Sequence, residues 1–202
     1  MTSPPSWTHA LWDSADAGTW YAARDAYAAA IALLPGTRLA EHDVWYRDTL
    51  PALVTSRTPM HVTHEEMVRI TVWKMARGVW RAPNLVLVRN NAPGAVEAAT
   101  ARAAGLLDLP GKALAAVCEL GGGGPATASA VLAIMAPERF PFFDEIVAGQ
   151  ARALGPVAWT ASYYRKYAAA LVARAAVLGE GWTATMVERA LWAHGVHAGA
   201  RG

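Results

Sequence analysis

The chain has little to offer several functional classes. Of its 202 residues one is cysteine, Cys118, and 17% are charged, with a formal net charge of +2. A lone cysteine excludes an intramolecular disulfide and a four-cysteine iron–sulfur cluster. No apolar run reaches the roughly 18 residues of a membrane span, and MTSPPSWTHALW at the start lacks the basic and apolar regions of a signal peptide. The expected location is therefore the cytoplasm, with no membrane partner. The small net charge is compatible with nucleic acid but does not point to it. Strand ladders and internal repeats are also missing.

What is present is enough apolar material, 54% of residues, for a sizeable core. The expectation is an all-α protein whose residues 1–202 form a single domain, or two closely packed helical lobes. Helical periodicity predicts helices over Gly18–Leu34, Glu41–Val54, His64–Val79, Ala82–Arg89, Gly94–Ala104, Gly111–Leu120, Pro125–Met135, Glu145–Leu154, Ala161–Leu178 and Thr183–His194. Pro35-Gly36, Ala92-Pro93-Gly94, Pro110-Gly111, Gly155-Pro156 and Gly179-Glu180-Gly181 punctuate them, and Thr63 with Glu66 predicts a capping box. Met1–Ser6 and Ala198–Gly202 are expected to fray.

The most informative stretch is LGGGGPATASAVLAIMAPERFPFFDEIV, Leu120 to Val147. Its glycines permit positive φ and close approach of backbone N–H groups to a phosphate, and the helix that follows offers free N-terminal donors. Pro125 suits the first helical position. A flexible turn between two core helices would use the same glycines. Asp144, between Phe143 and a predicted helix, suits an N-cap and equally a catalytic carboxylate.

Leu120, Gly122, Gly124, Thr127 and Ala128 follow the hairpin pattern of the base-excision DNA glycosylases, and Asp144 lies eighteen residues after Ala126. The run resembles the helix-hairpin-helix signature of that superfamily, the endonuclease III and MutY relatives. The resemblance covers about 30 residues closely and Thr63–Leu154 loosely. It implies a helix-hairpin-helix glycosylase fold, with a hairpin over about 112–135, acting on duplex DNA that carries a modified base. Asp144 would be the catalytic carboxylate, with Glu145 the second choice. Gly122, Gly124 and Thr127 would hold the DNA backbone, while Lys112 would be a phosphate contact or a solvated helix end.

Ala126 stands where bifunctional members carry the lysine that forms a Schiff base. The resemblance therefore implies a monofunctional enzyme that needs no metal or cofactor and leaves an abasic site. Repair and defence against phage DNA with hypermodified bases, such as glucosylated hydroxymethylcytosine, are both open roles. So is a noncatalytic DNA-binding module, or a helical interaction protein with a coincidental turn. The extra glycines at 121 and 123 predict a loose hairpin.

The other notable segment, Thr71 to Leu85, interleaves cations and indoles. Six cations between Arg69 and Arg102 face one acid, Glu97. Lys74, Arg77 and Arg81 can share a helix face, and with Trp73 they are candidates for the base pocket or DNA contact. A tryptophan at helical spacing is equally a core residue. His194 and His197 lack a third ligand for a metal, and the Tyr163–Tyr167 cluster reads as an amphipathic helix. The protein is expected to act as a monomer.

Overall fold

A computed structural model describes residues 10–34 and 38–200. The predicted stop at Pro35-Gly36, the segment Met1–Ser6 and the last two residues lie outside that range. Among the described residues every regular element is helical. The α-helices are α1 (Ala17–Asp25), α2 (Tyr27–Ala32), α3 (Leu39–Val44), α4 (Leu50–Thr55), α5 (His64–Arg77), α6 (Ala82–Arg89), α7 (Pro93–Ala104), α8 (Pro110–Cys118), α9 (Pro125–Met135), α10 (Glu145–Gln150), α11 (Ala161–Leu178) and α12 (Ala184–Gly199). Ala198 and Gly199, expected to fray, continue α12.

Three predicted helices are subdivided, the last of them into α10 and a 3-10 turn over Arg152–Leu154. The first breaks at Ala26, which lets Tyr27 turn inward and donate its hydroxyl to Asp43 at 2.8 Å. The second contains a π-turn, Trp45–Thr49, between α3 and α4. Widening the helix by one residue allows the consecutive Trp45 and Tyr46 both to be buried. Tyr46 then stacks on Trp73 with ring centroids 3.6 Å apart and donates to the carbonyl of Ala130 at 2.7 Å.

Helix α9 is the hub. Thr127 to Met135 are buried without interruption, as expected of a helix apolar on all sides. Ala128, Ser129, Ala130 and Ala133 keep it slim, and α4, α5, α7 and α8 pack against it. Helix α12 gathers α1, α2, α10 and α11, and one continuous apolar core joins the two groups. The capping box on α5 forms as predicted, and Arg57 pairs with Glu66 at 2.7 Å.

Between α9 and α10 the chain returns through Phe140–Phe143, which is buried. Its backbone groups are met by side chains, because buried amides and carbonyls need partners. Ser129 Oγ accepts from the Phe143 amide at 2.9 Å, Tyr164 donates to Pro141 O at 3.1 Å, and Tyr167 donates to Phe142 O at 2.6 Å. These three bonds fix where the segment ends, and it ends at Asp144.

Candidate functional site

The turn between α8 and α9 is held tightly, and the glycines are the reason. Asn91 Oδ1 accepts from the Gly121 amide at 2.8 Å, and its Nδ2 donates to the Gly121 carbonyl at 2.9 Å. A Cβ on Gly121 would lie 2.9 Å from the Leu87 carbonyl, and one on Gly123 would lie 2.3 Å from the Val117 carbonyl. Gly122 has φ +73°, and its Cβ would meet Val88 at 2.6 Å. The loose hairpin predicted from four glycines is thus corrected: three of them let the turn press onto α6 and α8. Gly124 alone has nothing within 4 Å of a would-be Cβ and is exposed. No side chain caps α9, and Pro125 has no N–H, so the amides left at its start are those of Gly124 and Ala126.

Those amides open onto a cavity of about 680 Å³ lined by the turn, the end of α5, and the segment leading into α10. Asp144 lies in its wall while also capping α10, accepting from the amides of Ile146 at 2.8 Å and Val147 at 3.3 Å. The N-cap and cavity readings of Asp144 therefore hold together. Burial pushes its carboxyl up to about 6, against the pull of Arg77. The Arg77 Nε stands 3.8 Å from Asp144 Oδ2, while Arg77 Nη2 donates to Glu188. Arg77 also faces the Trp192 ring at 4.4 Å. Among the described residues its Nε and Nη1 make no hydrogen bond, although both are buried.

This pair belongs to a larger buried charge cluster. Arg47 lies 3.7 Å from Glu188 and 3.2 Å from Asp43, which also accepts from Trp73 Nε1 at 2.8 Å. Removing one member of such a cluster strands the charge of its neighbour in a poorly solvated place.

The predicted contact residues separate in space. Trp73 is wholly buried, away from the cavity, and Arg77 belongs to the cavity wall but has a side chain closed to solvent. Neither is placed to meet a phosphate, because each serves the buried cluster. Lys74 and Arg81 do line the cavity, Arg81 exposed and Lys74 half-buried. Lys74 Nζ donates to the Thr127 hydroxyl at 2.9 Å, so Thr127 is turned inward and is almost inaccessible. Desolvation, reinforced by Arg81, lowers the Lys74 amine to about 8. Lys112 is exposed but does not line the cavity. It sits in the first turn of α8, about 13 Å of helix from the glycine turn. That is too far to share a phosphate with Gly124.

Two contributors, Trp159 and Val79, escaped the sequence reading, and the place of a third, Trp80 of the cation and indole segment, was not legible in it. Trp159, 44% exposed, packs on Phe143 with ring centroids 4.7 Å apart and forms an aromatic cavity wall. It follows a glycine and proline turn, where no periodicity marks it. Val79 and Trp80, 63% and 57% exposed, project from the short connection between α5 and α6, with Val79 at the cavity edge. Their exposure was the signal, and sequence does not carry it. Among the described residues no cluster of potential metal ligands occurs.

Protein-family models, characterised proteins and solved structures were compared with this chain, and none matches.

Proposed function

We propose that this protein is a monofunctional DNA glycosylase of the helix-hairpin-helix type. It would hydrolyse the N-glycosidic bond of a modified base flipped from duplex DNA and leave an abasic site. The observation that carries the proposal is the convergence, in one cavity, of a buried carboxylate with an open glycine turn. The free N-terminal amides of α9 and Gly124 supply donors for a DNA phosphate, which positions the duplex without reading its sequence. A cavity of about 680 Å³ has room for an extruded nucleoside, and Phe143 and Trp159 offer aromatic faces to the base.

Base departure builds positive charge on the deoxyribose. Ionised Asp144, in a water-poor wall, stabilises that charge and orients the attacking water. Arg77 acts as a positioning residue, favouring the ionised carboxylate that burial opposes. Base release is hydrolytic because Ala126 offers no amine to displace the base. The exposed Val79 and Trp80 would fill the gap in the duplex, and Arg81 would meet a neighbouring phosphate. The wide, largely apolar cavity suits a base with a bulky modification, in repair or in defence against hypermodified phage DNA. The protein would work as a monomer in the cytoplasm.

Duplexes carrying alkylated, oxidised, mismatched and glucosylated bases test this reading. Free base and an equal amount of abasic site are expected from at least one. Binding to DNA with no base release from any of them would leave a noncatalytic clamp.

A further inference from the structure

The cavity wall made by the end of α5 and the start of α6 presents hydrogen-bond donors that lack acceptors. Lys74 Nζ gives one N–H to the Thr127 hydroxyl at 2.9 Å, and among the described residues it has no other hydrogen-bond partner and no ion pair. Asn84 lines the same cavity from the first turn of α6, and its Nδ2 is buried without a partner. Arg81 stands between them in sequence, exposed at the rim. Of the other charged groups lining the cavity, Arg77 donates inward to Glu188, while Asp144 and Glu145 belong to the start of α10. Buried donors cost free energy until a ligand brings them acceptors. Desolvation and Arg81 lower the Lys74 amine to about 8, so it stays mostly charged at neutral pH. This wall suits an acceptor and opposes a cation.

We propose that Lys74 and Asn84 select the extruded base by charge, taking neutral bases with acceptor atoms on their edge and rejecting N-alkylated bases that carry a positive charge. Carbonyl oxygens and unprotonated ring nitrogens can accept from both residues. A cationic ring instead meets the charges of Lys74 and Arg81 in poorly solvated surroundings, where repulsion is weakly screened. The same contacts favour the chemical step for neutral bases. The C1′–N bond breaks with its electron pair passing to the base, water adds its oxygen to C1′, and the proton that water gives up ends on the base. Donors on the base edge stabilise the negative charge as it develops. A cationic base leaves neutral and gains nothing from them.

This inference rests on the glycosylase reading of the cavity, and its test separates the two. The full chain is given duplexes that each carry one modified base: N7-methylguanine, which is cationic, 8-oxoguanine, neutral on the same ring, or glucosylated hydroxymethylcytosine, also neutral. Without an enzyme the cationic base departs most readily. The wild type at neutral pH should nonetheless show a higher kcat/KM for a neutral base than for N7-methylguanine. Lys74→Met should lower that value by about tenfold to a hundredfold and narrow its lead over N7-methylguanine, and Lys74→Arg, which keeps the charge and the donors, should restore it. Asn84 Nδ2 holds no protein partner, so Asn84→Ala should fold as the wild type does and narrow the lead in the same direction. A wild type that prefers N7-methylguanine overturns the proposal and leaves the glycosylase reading standing. So does an unchanged lead in Asn84→Ala or in folded Lys74→Met. If no base is released from any duplex, both fall.

Discussion

The glycine turn and the tryptophan-rich end of α5 both carry residues suited to DNA, yet their fates differ. In the turn, local backbone demands decide the outcome: φ +73° at Gly122 and three close approaches leave one way to place Gly124 and the start of α9. At the end of α5, helical spacing says which side chains share a face but not where that face points. Trp73 turns into the protein, Arg77 is buried in the cavity wall, Lys74 and Arg81 border the cavity, and Trp80 projects outward. A pattern set by backbone geometry carries through to three dimensions more faithfully than one set by side-chain character.

Breaking the buried side of α5 should have the largest effect. Arg77→Met takes the cation from Asp144 and leaves Glu188 with Arg47 alone, and should destabilise the fold by about 3–5 kcal/mol, read by denaturant unfolding. In whatever folded fraction remains, the acid limb of base release should move to higher pH, because Asp144 loses the charge that opposes its protonation. Unchanged stability would place Arg77 with Arg81 at the rim rather than in the cluster.

Within the turn, the comparison sharpens between neighbours two residues apart. Gly122→Ala meets both a left-handed backbone and Val88, and should cost about 1–3 kcal/mol. Gly124→Ala meets open space and should change stability by no more than about 0.5 kcal/mol. Gly124→Leu should weaken binding to every duplex alike, since it blocks backbone approach to phosphate without touching base readout. Equal stability losses at 122 and 124 would show that the turn is not pressed onto α6.

The smallest effect concerns the stability cost of a working carboxylate. In the unfolded chain Asp144 titrates near its ordinary 3.8, and burial raises it to about 6 in the fold. Below the first value it is protonated in both states and costs nothing; above the second the buried charge costs its full amount. Asp144→Asn should therefore match the wild type near pH 4 and become the more stable protein as pH rises through 6. A higher Tm than the wild type is expected at neutral pH, and an equal one near pH 4.

Much of the fold was legible in the sequence for identifiable reasons. The predicted bounds of α6, α9 and α11 hold to the residue, with proline in the first turn of α6 and α9 and Gly179 closing α11, and Thr63 with Glu66 fixed the start of α5. The break at Ala26 and the π-turn at Trp45 answer to tertiary packing of Tyr27, Trp45 and Tyr46, which no local signal announces. Asp144 was found by spacing, since the length of α9 and the return segment sets its place. Glu188, which shares Arg77 with it, was not, lying forty-four residues further along the chain. Lys112 and Thr127 illustrate the opposite error: residues near the glycines in sequence need not face the same ligand.

The most direct test of the central claim compares wild type and Asp144→Asn on one modified duplex, with free base and DNA binding measured in the same samples. The amide keeps the shape and the capping oxygen that accepts from Ile146, so the variant should fold and bind DNA. Base release should fall by about a hundredfold to a thousandfold. An Asp144→Asn protein that releases base at the wild-type rate would contradict the account.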